Sequence, residues 1–144
     1  MMVLDTNVLS ELMSPAPDDR VVEWLRRLAA ASLYTTAITR AELLFGVALL
    51  PAGKRQRELA AAVQGMLDED FRDRVLPFDT AASDCFAQVA LPSRRRGRPM
   101  SDADARIAAI VASRGARLAT RNRADFDACG IEVVNPWEST RKRR

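Results

Sequence analysis

The chain's 144 residues, 48% hydrophobic and 28% charged, suffice for one globular domain with a buried core, and no apolar run reaches the roughly 18 to 20 residues that span a bilayer. Histidine is absent, which excludes a Ser-His-Asp triad, a Cys-His pair, a His-ligated zinc and a nuclease that activates a ribose 2′-OH with a histidine pair. Two basic patches, Arg94, Arg95, Arg96 and Arg98 and then Arg141, Lys142, Arg143 and Arg144, account for more than the whole net charge of +3, so the rest is acidic. Such a chain suits a carboxylate pocket holding a cation, with arginines around it to meet a polyanion.

In chain order, MMVL before Asp5 reads as a short buried strand. Residues 8–13 form a short helix that Pro15 and Pro17 close. Asp18 or Asp19 caps a helix whose apolar face carries Val21, Val22, Leu25, Leu28 and Ala29. Residues 33–36 form a second strand, and Thr39 opens a helix that turns Leu43, Leu44, Val47 and Leu50 to the core and stops at Pro51. An amphipathic segment from about Lys54 has Leu59, Val63, Met66 and Leu67 as its stripe. Residues 75–78 form a third strand, 80–91 a helix, and Arg94 to Arg98 an exposed loop. Ser101 starts a helix ending near Gly115, residues 117–120 form a fourth strand, and 131–134 a fifth before Asn135-Pro136. Strands alternating with helices predict an α/β fold with a mostly parallel five-stranded sheet covered on both faces. The site of such a fold lies beyond the carboxyl ends of its strands, where Asp5 and the TRN segment fall.

Few residues suggest other chemistry. Cys85 and Cys129 stand far apart and are expected to be buried thiols, not a disulfide or zinc ligands. The only lysines, Lys54 and Lys142, lie at a helix start and near the end of the sequence, where a nucleophile is not expected. Phe45, Phe78 and Phe126 sit in core-like patterns instead of forming a stacking platform. The MMVLDTN start lacks the features of a secretory signal, so a cytoplasmic protein is expected, without contact to a membrane.

Asp5, Glu42 and Asp104 all stand at element junctions. Carboxylates near helix N-termini are held ionised, and ionised oxygens bind Mg²⁺ or Mn²⁺. Each also has a local alternative: Thr39-Arg40-Ala41-Glu42 fits a capping box, Ser101-Asp102-Ala103-Asp104 is a near relative of one, and Asp5 can cap the helix after it. The remaining acids form a charge run (Asp68, Glu69, Asp70), lie on polar helix faces (Glu11, Glu23) or cap a helix (Asp79).

The segments VLDTNVLSEL, AITRAELLFGV, SDADARIAAIVAS and LATRNRADF, in this order and spacing, resemble the PIN-domain nucleases, in particular the VapC-type toxins of bacterial toxin–antitoxin modules. The closing VVNPW is similar to the FitB-like branch. The resemblance implies a three-layer α/β/α PIN domain over residues 1–138, with 139–144 as a basic C-terminal tail. It implies that Asp5, Glu42 and Asp104 are catalytic and metal-binding, with Asp104 favoured over Asp102 by its spacing from Ile107-Ala108-Ala109, and that Thr6 and Thr120 support the acids. Asn122 departs from the family at the fourth acidic position, where Asp125 is the nearest substitute, which puts a two-metal mechanism in question.

The expected function is a Mg²⁺-dependent (or Mn²⁺-dependent) ribonuclease toxin that hydrolyses RNA by metal-activated water, with Arg94, Arg95, Arg96, Arg98, Arg121 and Arg123 as RNA-binding candidates. A cognate antitoxin and a homodimer are implied by the family alone, as is the choice of RNA. A second reading from a different class is a weakly or non-catalytic partner of a DNA-binding antitoxin. An aspartyl-phosphate phosphotransferase is disfavoured, because Asn7 stands where its second aspartate is needed.

Overall fold

The structure, a computed structural model, describes residues 1–138. The basic patch of Arg141, Lys142, Arg143 and Arg144 lies outside the described residues. In chain order come β1 (Met2–Leu4), α1 (Thr6–Leu12), α2 (Asp19–Arg26), β2 (Leu33–Thr36), α3 (Ala37–Ala48), α4 (Lys54–Gly65), β3 (Val75–Leu76), α5 (Thr80–Arg95), α6 (Asp102–Ser113), β4 (Arg117–Ala119) and β5 (Glu132–Val134). The strands pair in the order β3-β2-β1-β4-β5, and every pairing is parallel.

Central position explains the uninterrupted apolar run of β1: it pairs on both sides, and Met2, Val3 and Leu4 are all buried. The strand's period of two then sorts its side chains between two cores. Met2 and Leu4 join Ala119 in a cluster with Val8, Leu9, Val21, Trp24, Leu43, Val47, Val63 and Leu67 from α1 to α4 and the turn after them. Val3 joins Leu118 in the opposite cluster with Val89, Ile107 and Ile110 from α5 and α6. The chain winds outward from β1 to β3, then returns to β4 on the other side of β1. The reversal of strand order between β1 and β4 is the switch point of an open parallel sheet, and a crevice opens there.

Several boundaries differ from the sequence reading. Helix α3 begins at Ala37, because Thr36 is the cap and accepts a hydrogen bond from the Thr39 N–H at 3.0 Å. The Thr39 capping box therefore does not form, and Glu42 lies in the second turn. Helix α5 runs through Pro92 to Arg95. The hydroxyl of buried Ser93 donates to the Ala90 carbonyl at 3.1 Å and accepts from the Met100 N–H at 3.2 Å, tying this last turn to the segment that returns toward α6. Arg94 and Arg95 are thus helical, and the loop is confined to Arg96 and the residues after it. Phe45 and Leu50 are exposed on and just after α3, while Trp24 takes a core place on α2. Cys129 is buried and Cys85 partly so, both as free thiols.

Candidate active site

Asp5 is the first residue past β1. Its N–H still follows the sheet, donating to the Ala119 carbonyl at 3.0 Å, while its carboxylate turns over α1 and accepts from the Thr6 N–H at 2.8 Å. The same side chain receives the Thr120 hydroxyl at 2.7 Å and the Asn7 amide at 3.3 Å. Asp5 is only 4% exposed. Burial pushes its carboxyl up, the Glu42 charge adds to that, and the hydrogen bonds from Thr120, Thr6 and Asn7 oppose it without cancelling it.

Thr120 follows β4, next to β1 in the sheet, and is fully buried. Its N–H donates to the Val134 carbonyl at 2.9 Å, and its hydroxyl oxygen accepts from Asn7 at 3.3 Å and from the Asn122 N–H at 3.2 Å. The Asn7 side-chain oxygen in turn accepts from the Arg121 N–H at 3.0 Å. Asp5, Asn7 and Thr120 therefore form one network across the switch point.

Glu42 reaches the same place from α3. The Thr6 hydroxyl donates to its Oε1 at 2.5 Å and shares a 3.1 Å hydrogen bond with the Thr39 hydroxyl. From the other core layer comes Asp104, whose N–H donates to the Ser101 cap at 3.1 Å. Its carboxyl is pushed up to about 6, first by partial burial and then by the charge of Asp5, with Asp125 and Glu42 adding to this and Ser101 opposing it. Asp102, by contrast, faces solvent and pairs with Arg106 at 3.0 Å.

These acids line one open pocket of about 520 Å³ together with Thr6, Asn7, Ser10, Glu11, Arg121, Asn122 and Trp137. Asp104 also lines a neighbouring pocket of about 420 Å³ with Arg96, Arg98, Ser101 and Asp125. Asp125 therefore lines this neighbouring pocket and not the one that holds Asn122. Arg94 and Arg95 line neither pocket, and Arg123 is engaged with Glu138 at 2.9 Å. Four pocket residues, Asn7, Ser10, Glu11 and Trp137, fall outside the site expected from the sequence. Asn7 has a visible signal in its place two residues after Asp5 and Trp137 in the closing VVNPW, whereas Glu11 reads as an acid on a polar helix face and Ser10 has no local signal.

The family profile described as PIN domain matches residues 2–131. The chain belongs to the PIN-domain family. Among its PIN relatives, VapC ribonuclease Y4jK of Sinorhizobium fredii is 41% identical over 138 residues, covering 96% of this chain and 99% of the relative. Toxin FitB of Neisseria gonorrhoeae is 39% identical over 137 residues, covering 95% and 99%. The solved structure of FitAB bound to an IR36 DNA fragment superposes with a TM-score of 0.91 at 37% identity, covering 99% of this chain and 100% of that one. The three-layer PIN architecture is thus shared over nearly the whole chain. Among the described residues no helix is long and apolar enough to cross a membrane.

PIN-domain nucleases generally use a divalent metal, and the donor chemistry here fits one. Hard carboxylate oxygens on three elements share the pocket, and burial first, with the charges of neighbouring carboxylates adding to it, raises the carboxyls of Asp5 and Asp104. Among the described residues no group of three or more acids is drawn together tightly enough to enclose an ion. That spacing is compatible with Mg²⁺, which keeps several waters and binds through one or two carboxylates.

Proposed function

We propose that this PIN domain is a divalent-metal-dependent endoribonuclease, with Mg²⁺ or Mn²⁺ as its ion, and the toxin of a toxin–antitoxin pair. The observation that carries this reading is the convergence of Asp5, Glu42 and Asp104, from three separate stretches of sequence, on one pocket at the sheet's switch point. In it, the ion would be held by one or two of the carboxylates of Asp5, Glu42 and Asp104 together with its own waters. When bound, the ion would acidify a coordinated water and neutralise charge on the phosphodiester.

The chain's own residues supply the rest. Thr120 and Asn7 fix the orientation of Asp5, and Thr6 fixes Glu42, so the oxygens are in place before substrate arrives. Asn122 supports Thr120 through its backbone and supplies no carboxylate, which favours fewer tightly held ions. Arg96 and Arg98, in the pocket that shares Asp104, steer the RNA backbone. Without histidine to deprotonate a 2′-OH, attack by water leaves a 5′-phosphate and a 3′-hydroxyl. RNA as substrate is supported by the name of the Y4jK relative, and a cognate antitoxin by the FitAB complex. A homodimer would have the exposed Phe45 of α3 and Leu49 just after it as an apolar contact face.

The test is a digest of defined RNAs with and without Mg²⁺, wild type against Asp104→Asn, with end-group analysis. Metal-dependent cuts bearing 5′-phosphates, lost in the variant, are expected; 2′,3′-cyclic phosphate ends would overturn the mechanism. A second reading, a weakly catalytic partner of a DNA-binding antitoxin, is favoured by Asn122 and by the spread of the acids. Calorimetric Mg²⁺ titration separates the two, since the enzyme reading requires specific binding that Asp5→Asn abolishes.

A further inference from the structure

Arg121 follows β4 by two residues, and its backbone is held from both sides: its N–H donates to Asn7 and its carbonyl accepts from the Asn135 amide at 3.4 Å. Asn135 also caps the next turn, accepting from the Trp137 N–H at 2.9 Å. These bonds set the Arg121 guanidinium over the Trp137 ring, 4.9 Å from its centroid. Trp137 is 5% exposed and anchored in the core, so the platform beneath the arginine does not move freely.

Both residues line the acidic pocket, yet Arg121 enters none of the ion pairs among the described residues. A stacked guanidinium keeps its N–H edge free for two parallel bonds to an anion, and stacking reduces the side-chain freedom that binding would otherwise remove. Arg123 and Arg96 are each engaged with a carboxylate, and Arg98 lies in the neighbouring pocket. Of the six candidate arginines, Arg121 alone lines the acid pocket, stacked on Trp137 and outside every ion pair among the described residues, although its charge reaches the Asp18 carboxylate.

We infer that Arg121 is a catalytic residue that grips the non-bridging oxygens of the scissile phosphodiester, and that Trp137 is the positioning residue that holds its guanidinium at the pocket rim. This assignment rests on the nuclease reading and names how that site receives its phosphate. A fixed positive donor aimed at oxygens that gain charge during the reaction acts mainly on kcat.

The experiment measures kcat and KM on a defined RNA for Arg121→Ala, Trp137→Phe, Trp137→Leu and the double variant Arg121→Ala/Trp137→Leu, with thermal unfolding of each. Arg121→Ala, at an exposed side chain, is expected to lower kcat on the order of 10²-fold while leaving the unfolding temperature near wild type. Trp137→Phe keeps an aromatic face and retains most of kcat, and Trp137→Leu loses it. The decisive readout is coupling: once Arg121 is gone, Trp137→Leu should lower kcat no further. Unchanged kcat in Arg121→Ala, or independent losses that multiply, would overturn the assignment. Should the wild type fail to cleave, the nuclease reading has failed on its own. Anisotropy with a short single-stranded RNA in the Asp104→Asn background with Mg²⁺ then still reads the phosphate contact, which Arg121→Ala should weaken about tenfold; equal affinity would overturn it.

Discussion

Asp104 offers the most direct test of the site's electrostatics, because its function and its stability pull in opposite directions. In the unfolded chain its carboxyl titrates at 3.8, and in the folded protein at about 6. The native state therefore binds the proton more tightly, and stability falls as pH rises from about 4 to about 6, with the full cost present above the folded value. At 1.36 kcal/mol per pH unit the difference corresponds to about 3 kcal/mol, which solvent access to a half-buried group reduces to about 1 to 2 kcal/mol. Asp104→Asn removes the charge at nearly constant volume. It should stabilise the metal-free protein at pH 7.5 by that amount, raising the melting temperature by about 3 to 8 °C, and the gain should vanish at pH 4. Saturating Mg²⁺ should reverse the order, because only the wild type binds the ion well and gains from it. The assay is thermal unfolding of both proteins at pH 4, 6 and 7.5, in chelator and in Mg²⁺. A variant no more stable than wild type at pH 7.5 in chelator, or equally stabilised at pH 4, would refute the reasoning.

Other changes probe the supporting residues. Thr120→Val leaves Asp5 and Asn7 without a shared partner in a dry site; it should cost about 1 to 3 kcal/mol of stability by chemical unfolding and about 10- to 100-fold in metal affinity by calorimetry, while Thr120→Ser should restore most of both. The double variant Arg96→Gln/Arg98→Gln should weaken RNA binding broadly across sequences and flatten the plot of log affinity against log salt by about 1.4, at roughly 0.7 per phosphate contact on a single strand. Phe45→Glu with Leu49→Glu should convert a homodimer to monomer in light scattering without unfolding it; an unchanged mass would remove this face of α3 as the interface.

The strand and helix sequence is legible because each element carries its own period. The all-apolar MVL of β1 announces a strand covered on both faces, and the stripe at Val63 and Leu67 announces its helix. The misread boundaries share a cause: a local rule was outweighed by a neighbour. Thr36 is both the last residue of a strand and the cap of α3, and the sequence pattern points instead to the hydroxyl three residues later. Pro92 should have ended α5, but Ser93 supplies hydrogen bonds that let the last turn persist. Phe45 looks like core by composition, and only the packing of α3, through Leu43 and Val47, shows that it points outward.

The acids were legible for a different reason: Asp5 and Asp104 stand at element ends, which parallel α/β topology collects at one crevice, and Glu42 reaches that crevice from the second turn of α3. What lies around them depends on contacts between distant segments. Arg121 and Arg123 flank Asn122 in the same TRNR stretch, and no local feature distinguishes them. Their fates are decided by Trp137 and Glu138, two adjacent residues past β5. Arg121 meets the indole and lines the acid pocket outside every ion pair among the described residues, whereas Arg123 meets the carboxylate and is neutralised outside it. The parallel β4–β5 register makes this sorting possible, because it brings the residues after Ala119 beside those after Val134. Glu138→Gln should therefore leave Arg123 held by the Val133 carbonyl, to which it donates at 3.4 Å, and short single-stranded RNA should bind with unchanged affinity in an anisotropy assay, since that guanidinium would lack an aromatic face to hold it over the acids.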